Sequence, residues 1–227
     1  MEARLNVKLL RHTPEPERAI ATAARLCYFK SDIGDLMKEM TDDKCDKLLK
    51  RLVAMGHMSP FEHASFTFAV EGVSRALTHQ LVRHRIATFS QQSQRYVDAD
   101  GFSYIIPPTV QDRERYEKIM HDLSTAYSDL RKTVPKEDAR YVLPNAAETK
   151  IMITMNAREL QHFFRLRCCN RAQWEIRDMA AEMLRLARKA APLIFARSGP
   201  GCISGPCPEG EMGCGRIGDV RAKFGRV

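Results

Sequence analysis

The distribution of apolar residues along this chain predicts an α+β fold, a mixed β-sheet packed with helices in a single domain. Three observations carry that expectation. Segments that alternate apolar and polar residues stand far apart, at Leu5–Leu10, Ser65–Glu71 and Thr149–Met155, and the stretches between them repeat with a helical period. The 227 residues are enough to bury a core without disulfide staples. No run of 18 apolar residues occurs and no basic-then-apolar leader opens the chain, so the expectation is a soluble cytoplasmic protein with no membrane partner.

The elements follow in order. Leu5–Leu10 reads as a strand. Pro14-Glu-Pro-Glu opens a helix on which Ile20, Ala23, Ala24 and Cys27 share a face, making Cys27 a small core residue. Thr41-Asp-Asp-Lys starts a second helix, with Leu48, Leu49, Leu52 and Val53 inward and Gly56 as its stop. Ser59 followed by Pro60 and Glu62 fits a capping box with proline at the first helical position, a start whose free amides suit phosphate. Phe66, Phe68 and Val70 fall on one face of the next strand. From Ser74 to His84 a helix turns Leu77 and Leu81 inward, while Gln80 and Arg83, three apart, point together elsewhere. His79 and His84 are five apart and do not share a helical face, so no metal is expected.

Gly101–Ile106 reads as a loop and short strand, residues 109–132 as an amphipathic surface helix, and Pro135–Pro144 as a short helix carrying Arg140. Thr149–Met155 places Ile151, Ile153 and Met155 on one face, and Asn156-Ala-Arg-Glu159 then caps a helix. On that helix Leu160, Phe163 and Phe164 form a stripe whose next position is Arg167. An arginine there buries its stem and must satisfy five donors; it either snorkels at the helix end or points at a ligand. Ala172–Phe195 reads as one long helix with Ile176, Ala180, Met183, Ala187, Ala190 and Ile194 inward and Glu175, Asp178, Glu182 and Arg185 opposite. The composition then changes, dividing a domain over 1–197 from a tail over 198–227, where seven of the twelve glycines fall between 199 and 218. Cys202, Cys207 and Cys214 are one ligand short of a structural zinc site. Cys168, Cys169 or another subunit could complete it; the other reading is a flexible extension.

The net charge of +8 and pI near 9.2 point to anionic partners, either nucleic acid or phosphorylated small molecules. The charge concentrates in Arg83-His-Arg-Ile-Ala-Thr-Phe-Ser-Gln-Gln-Ser-Gln-Arg-Tyr96. Arginine forks there suit phosphate, and glutamine and serine suit a sugar or a base edge. Arg-His-Arg, seven residues, then Ser93-Gln-Arg-Tyr, resembles the signature of the flavin-dependent thymidylate synthases. Further motifs are similar to that family's: His57-Met-Ser-Pro-Phe-Glu-His63, Pro135 to Pro144, Asn156-Ala-Arg158, and Leu166-Arg167 followed by Ala-Gln-Trp-Glu175. The resemblance spans about Ala19 to Phe195 and does not reach the tail.

The resemblance implies conversion of dUMP to dTMP, with methylenetetrahydrofolate as one-carbon donor and NADPH reducing FAD, in a homotetramer whose sites lie at subunit junctions. It assigns Gln80, Arg83, Gln91, Gln92, Ser93, Gln94, Arg95, Arg140 and Arg167 to dUMP. Arg167 is the residue that favours ionisation of the uracil ring. To FAD it assigns Ser59, Arg83, His84, Arg85, Gln91, Asn156, Arg158 and His162, with His57 near flavin and folate. Gln91 stands where a glutamate can occur, and His162 where an asparagine can. No cysteine sits in a motif that activates a thiol, which fits chemistry without a thiol adduct. A basic nucleic-acid-binding module is the rival from another class. It leaves Arg167 unexplained, and 7% aromatic residues are sparse for base stacking. A flavoprotein reductase acting on another nucleotide is the second alternative.

Overall fold

The computed structural model describes residues 1–225. The chain opens with β1 (Asn6–His12), α1 (Pro16–Leu26), α2 (Ile33–Glu39) and α3 (Asp42–Met55). A 3-10 turn at Ser59–His63 leads into β2 (Ser65–Ser74), α4 (Arg75–Leu81) and β3 (Thr88–Gln91). Next come α5 (Arg113–Leu130), α6 (Lys136–Ala139), β4 (Glu148–Asn156) and α7 (Ala157–Arg167). The chain continues through α8 (Trp174–Ala190), α9 (Pro192–Phe195) and α10 (Ile217–Phe224). With 50% of residues in helices and 15% in strands of one sheet, the α+β expectation holds. The sheet runs β1-β2-β4-β3 and is antiparallel; among the described residues parallel pairing occurs as an isolated bridge between Glu2 and Tyr104.

Contacts group the residues into two compact units. The first holds Met1–Val7, Ala69–Arg83 and Phe89–Ile153. Its core includes Val73, Leu77, Leu81, Ile151, Ile153 and the fully buried Tyr127. The Tyr127 hydroxyl is satisfied, donating to Asp98 Oδ1 at 3.3 Å and accepting from Ala99 N–H at 3.2 Å. Gly72 has φ +69°, and a Cβ there would lie 1.8 Å from the Arg4 carbonyl oxygen, so β2 can pass that backbone only with glycine.

The second unit holds Lys8–Phe68, His84–Thr88 and the chain from Thr154 onward. Phe66, Phe163, Phe164 and Phe195 meet edge to face, with centroids 5.2–5.9 Å apart, and none is exposed. Each such ring contributes on the order of 1.5–3 kcal/mol by leaving water. Here α1 packs on α3, and α7 on α8.

Several expectations change. The helix from Thr41 holds, ending at Gly56 in the left-handed region, with Cys45, Leu49 and Leu52 buried. Ser59, by contrast, forms no cap: the segment is one 3-10 turn with Met58 before it and no side-chain cap bond, so the expected row of free amides is not built. Since α1 stops at Leu26, Cys27 lies past its end and is exposed. α4 ends at Leu81 rather than His84, which takes Arg83 out of the helix. The long helix breaks at Ala191 because Pro192 lacks the N–H that would continue it. Glu175, assigned to the polar face, is buried. α2 and β3 were not expected, and Tyr104 makes bridges rather than a strand.

The tail packs instead of trailing, at least as far as Gly225; its last two residues lie outside the described chain. Cys202, Val220 and Phe224 are buried, and Arg188 on α8 donates to the carbonyls of Ser198 and Phe224 at 2.8 and 2.6 Å.

Candidate active site

In the first unit, Ser74 caps α4 by accepting from Leu77 N–H at 3.0 Å. That places Gln80, half-buried, in the last turn and Arg83, exposed, just beyond it. β3 carries Gln91, whose amide donates to the hydroxyls of Thr78 and Thr149, both at 3.2 Å. Gln91 thus ties α4, β3 and β4 together and sets the direction of the residues after it. The Gln92 amide pairs with the Lys150 carbonyl at 2.9 Å, and Ser93 Oγ accepts from Arg95 N–H at 3.1 Å, forming a serine turn. Gln92, Ser93 and Gln94 line a cavity of about 160 Å³ with Thr149 and Lys150.

Arg95 and Arg140 converge on one residue: Arg95 Nε donates to Glu137 Oε2 at 2.7 Å, and Arg140 Nε to the Glu137 carbonyl at 3.0 Å. A third cation joins them that sequence reasoning missed. Arg75 is half-buried at the start of α4, with Nη1 3.5 Å from the Gln92 carbonyl. Burial lowers its pKa from the ordinary value, and the like charge of Arg140 lowers it further. Its only sequence signal was an arginine directly after a capping serine. Clustered guanidiniums of this kind repel one another and favour an anion between them.

In the second unit, Asn156 caps α7 as expected, accepting from Glu159 N–H at 2.8 Å. The other half of the expected capping box differs: the Glu159 side chain accepts from His84 Nδ1 at 3.0 Å. His84 is buried against the edge of Phe163, centroids 5.0 Å apart. Its Nε2 accepts from Arg167 Nε at 3.0 Å. Burial pushes the His84 pKa down, the Glu159 bond opposes this, and Arg167 and His162 lower it again. The ring is neutral at pH 7. Arg167 is half-buried where the apolar stripe predicts, and burial lowers its pKa from the ordinary value.

Arg158 pairs with Glu62 at 2.5 Å, linking α7 to the 3-10 turn that carries Ser59. Arg85, Arg158 and His162 are exposed. Ser59 and His57 line a cavity of about 450 Å³ with Arg25, Arg51, Leu48 and Met55. Apolar walls beside two guanidiniums, an imidazole and a hydroxyl suit a ligand that joins a flat ring system to phosphates. The structure therefore gathers Gln80, Arg83, Gln91 to Arg95 and Arg140 in the first unit. Ser59, His84, Arg85, Asn156, Arg158, His162 and Arg167 belong to the second, so Arg83 is assigned apart from His84 and Arg85. Among the described residues no three His, Cys, Asp or Glu side chains are placed to hold a metal.

Comparison with known proteins adds an independent line. The family described as "Thymidylate synthase complementing protein" matches residues 8–193. A protein of Geobacter sulfurreducens named flavin-dependent thymidylate synthase is 53% identical over 97% of this chain and 98% of its own. Proteins of the same name from Clostridium tetani and Pyrococcus furiosus are 51% and 42% identical, each covering at least 96% of both chains.

Proposed function

The chain belongs to the family of flavin-dependent thymidylate synthases, and from that premise we propose how its own residues divide the reaction. The enzyme converts dUMP to dTMP, with methylenetetrahydrofolate and NADPH as cosubstrates and FAD as cofactor. FAD, when bound, relays the hydride that NADPH supplies.

Arg95 and Arg140 take the dUMP phosphate, with Arg75 beside Arg140 raising the local positive charge. Gln80, Arg83 and the Gln91–Gln94 run address the sugar and base. Gln91 does so from a side chain already anchored to Thr78 and Thr149. Ser93 serves as a binding hydroxyl: its Oγ accepts from Arg95 N–H, a turn-forming contact that prepares no nucleophile. Arg167 stabilises negative charge developing on the pyrimidine, the electrostatic mode of catalysis in a site withdrawn from water. One observation carries this assignment. Arg167 is half-buried at the end of the apolar stripe of α7, and its Nε is held by the His84 ring, so its guanidinium sits at a fixed place in a partly desolvated site.

For FAD, Arg83, Arg85 and Arg158 offer cations, Ser59 and Asn156 polar contacts, and His84 and His162 the remaining positions. The cavity at Ser59 and His57, lined by both apolar and cationic side chains, supports that assignment. No thiol is required. Burial pushes the Cys168 thiol up to about 12, which keeps it protonated.

The functional unit is a homotetramer with sites at subunit junctions. Ile86, Tyr96 and Tyr141, all within or beside the motifs, stand 68%, 74% and 83% exposed, and a neighbouring subunit would cover them. Residues 1–197 form the catalytic domain, and the tail from 198 onward extends it, packing against α8 through Arg188, in keeping with a family match that stops at residue 193. The cytoplasm suits seven free cysteines, and among the described residues no helix is long and apolar enough to cross a membrane. Folded protein incubated with FAD should show flavin absorbance and form dTMP from dUMP. Flavin binding without dTMP formation would point to a reductase of another nucleotide, and no flavin at all would overturn the assignment.

A further inference from the structure

Glu159 has no part in the division of residues given above, yet it stands in the first turn of α7 only 7% exposed. An acid so buried needs a partner. It has one in His84 Nδ1, and the opposite ring nitrogen of that 5%-exposed histidine faces Arg167 Nε; both distances are 3.0 Å.

The hydrogen-bond inventory settles the direction of this chain of contacts. Arginine Nε–H only donates, so His84 Nε2 must be the acceptor and cannot carry the proton. In a neutral ring the proton then sits on Nδ1, where it is donated to Glu159 Oε1. A proton on Nε2 would set two N–H groups against each other across 3.0 Å. The ring is also held sideways by Phe163, and the Asn156 cap holds the Glu159 amide. Because a guanidinium is planar, fixing Nε fixes the direction of its two terminal nitrogens.

We propose that Glu159 is a positioning residue for catalysis: through the His84 tautomer it orients the Arg167 guanidinium toward the pyrimidine. The proposal rests on the assignment of Arg167 to the dUMP ring. A carboxylate that hydrogen-bonds the far nitrogen of a metal-bound histidine orients that ring in the same way, and here an arginine stands in the place of the metal.

The test uses Glu159→Ala, Glu159→Gln, Arg167→Lys and the double variant Glu159→Ala/Arg167→Lys. In Glu159→Ala, kcat should fall about 10- to 100-fold, while KM for dUMP and bound flavin absorbance stay within about twofold. Glu159→Gln should recover to within about threefold of wild type, because its amide oxygen can accept the same N–H. In the Arg167→Lys background, Glu159→Ala should cost less than about twofold more, since the group it orients is gone. Losses that multiply in the double variant, beside a damaged Arg167→Lys, would overturn the relay alone. An undamaged Arg167→Lys would overturn the ring assignment, and the relay's purpose with it. Should Glu159→Ala fail to fold, the ¹⁵N spectrum of histidine-labelled wild type decides, with His84 identified by His84→Gln. A proton on Nδ1 is expected, and a proton on Nε2 would refute the proposal.

Discussion

A lysine at position 167 would keep the charge but lose both the planar fork and the Nε–H that meets His84. Arg167→Lys should therefore lower kcat for dUMP methylation by on the order of 2.7–4 kcal/mol, by analogy with the loss of one oxyanion donor. Reduction of FAD by NADPH in the absence of dUMP should change far less, because no uracil takes part. Stopped-flow measurement of each half-reaction separates the two, and equal losses in both would mean that Arg167 has another role. The cysteines offer a second test at this scale. Cys168 is buried, which pushes its pKa up to about 12 from the ordinary thiol range near 9, whereas Cys27 is exposed. Alkylation of the folded protein at pH 8 should label Cys27 and spare Cys168. The folded state keeps the Cys168 proton where the unfolded chain gives it up. Stability from this residue is therefore present below about pH 9 and falls as pH rises from there toward about 12. A urea midpoint that rose over this interval would contradict the burial of Cys168.

At the scale of single elements, two glycines with similar φ should respond differently to alanine. Gly56 ends α3 at φ +68° with open space where a Cβ would go, so Gly56→Ala should cost about 1 kcal/mol through backbone strain alone. Gly72 in β2 has φ +69°, and a Cβ there would lie 1.8 Å from the Arg4 carbonyl oxygen. Gly72→Ala must displace backbone and should cost several times as much, on the order of 3 kcal/mol or more. Urea midpoints compare the two directly, and equal costs would show that Arg4 moves aside freely. Gly56 was legible as a helix stop because its signal is local. Gly72 was not, because the atom it avoids lies 68 positions earlier.

For the whole molecule, light scattering should give the mass of four chains, and a monomeric active enzyme would refute sites at subunit junctions. The tail is the other test. Removing residues 199–227 takes away Phe224, 6% exposed, and a carbonyl that Arg188 holds at 2.6 Å. Truncation should lower the melting temperature, and Phe224→Ala alone should cost about 3 kcal/mol. Flavin binding should survive both, since the motifs end earlier, and its loss in a folded variant would give the tail a direct role in the site.

By itself the sequence determined the family and its reaction, because these reside in short motifs whose spacing is covalent, and the same motifs supplied the candidate site residues. It also determined the alternating strands and the stripe that ends at Arg167, since local period decides which side of an element is apolar. Only the tertiary structure decided that Glu159 leaves its own capping box for His84, 75 positions away, and that this histidine then serves Arg167. Tertiary packing likewise buried Glu175, brought Arg75 near Arg140 and folded the tail onto the residues around Arg188. Each of these is a choice among partners that are all chemically adequate. What selects among them is the free energy of burying one pair rather than another, which becomes defined only when distant segments meet.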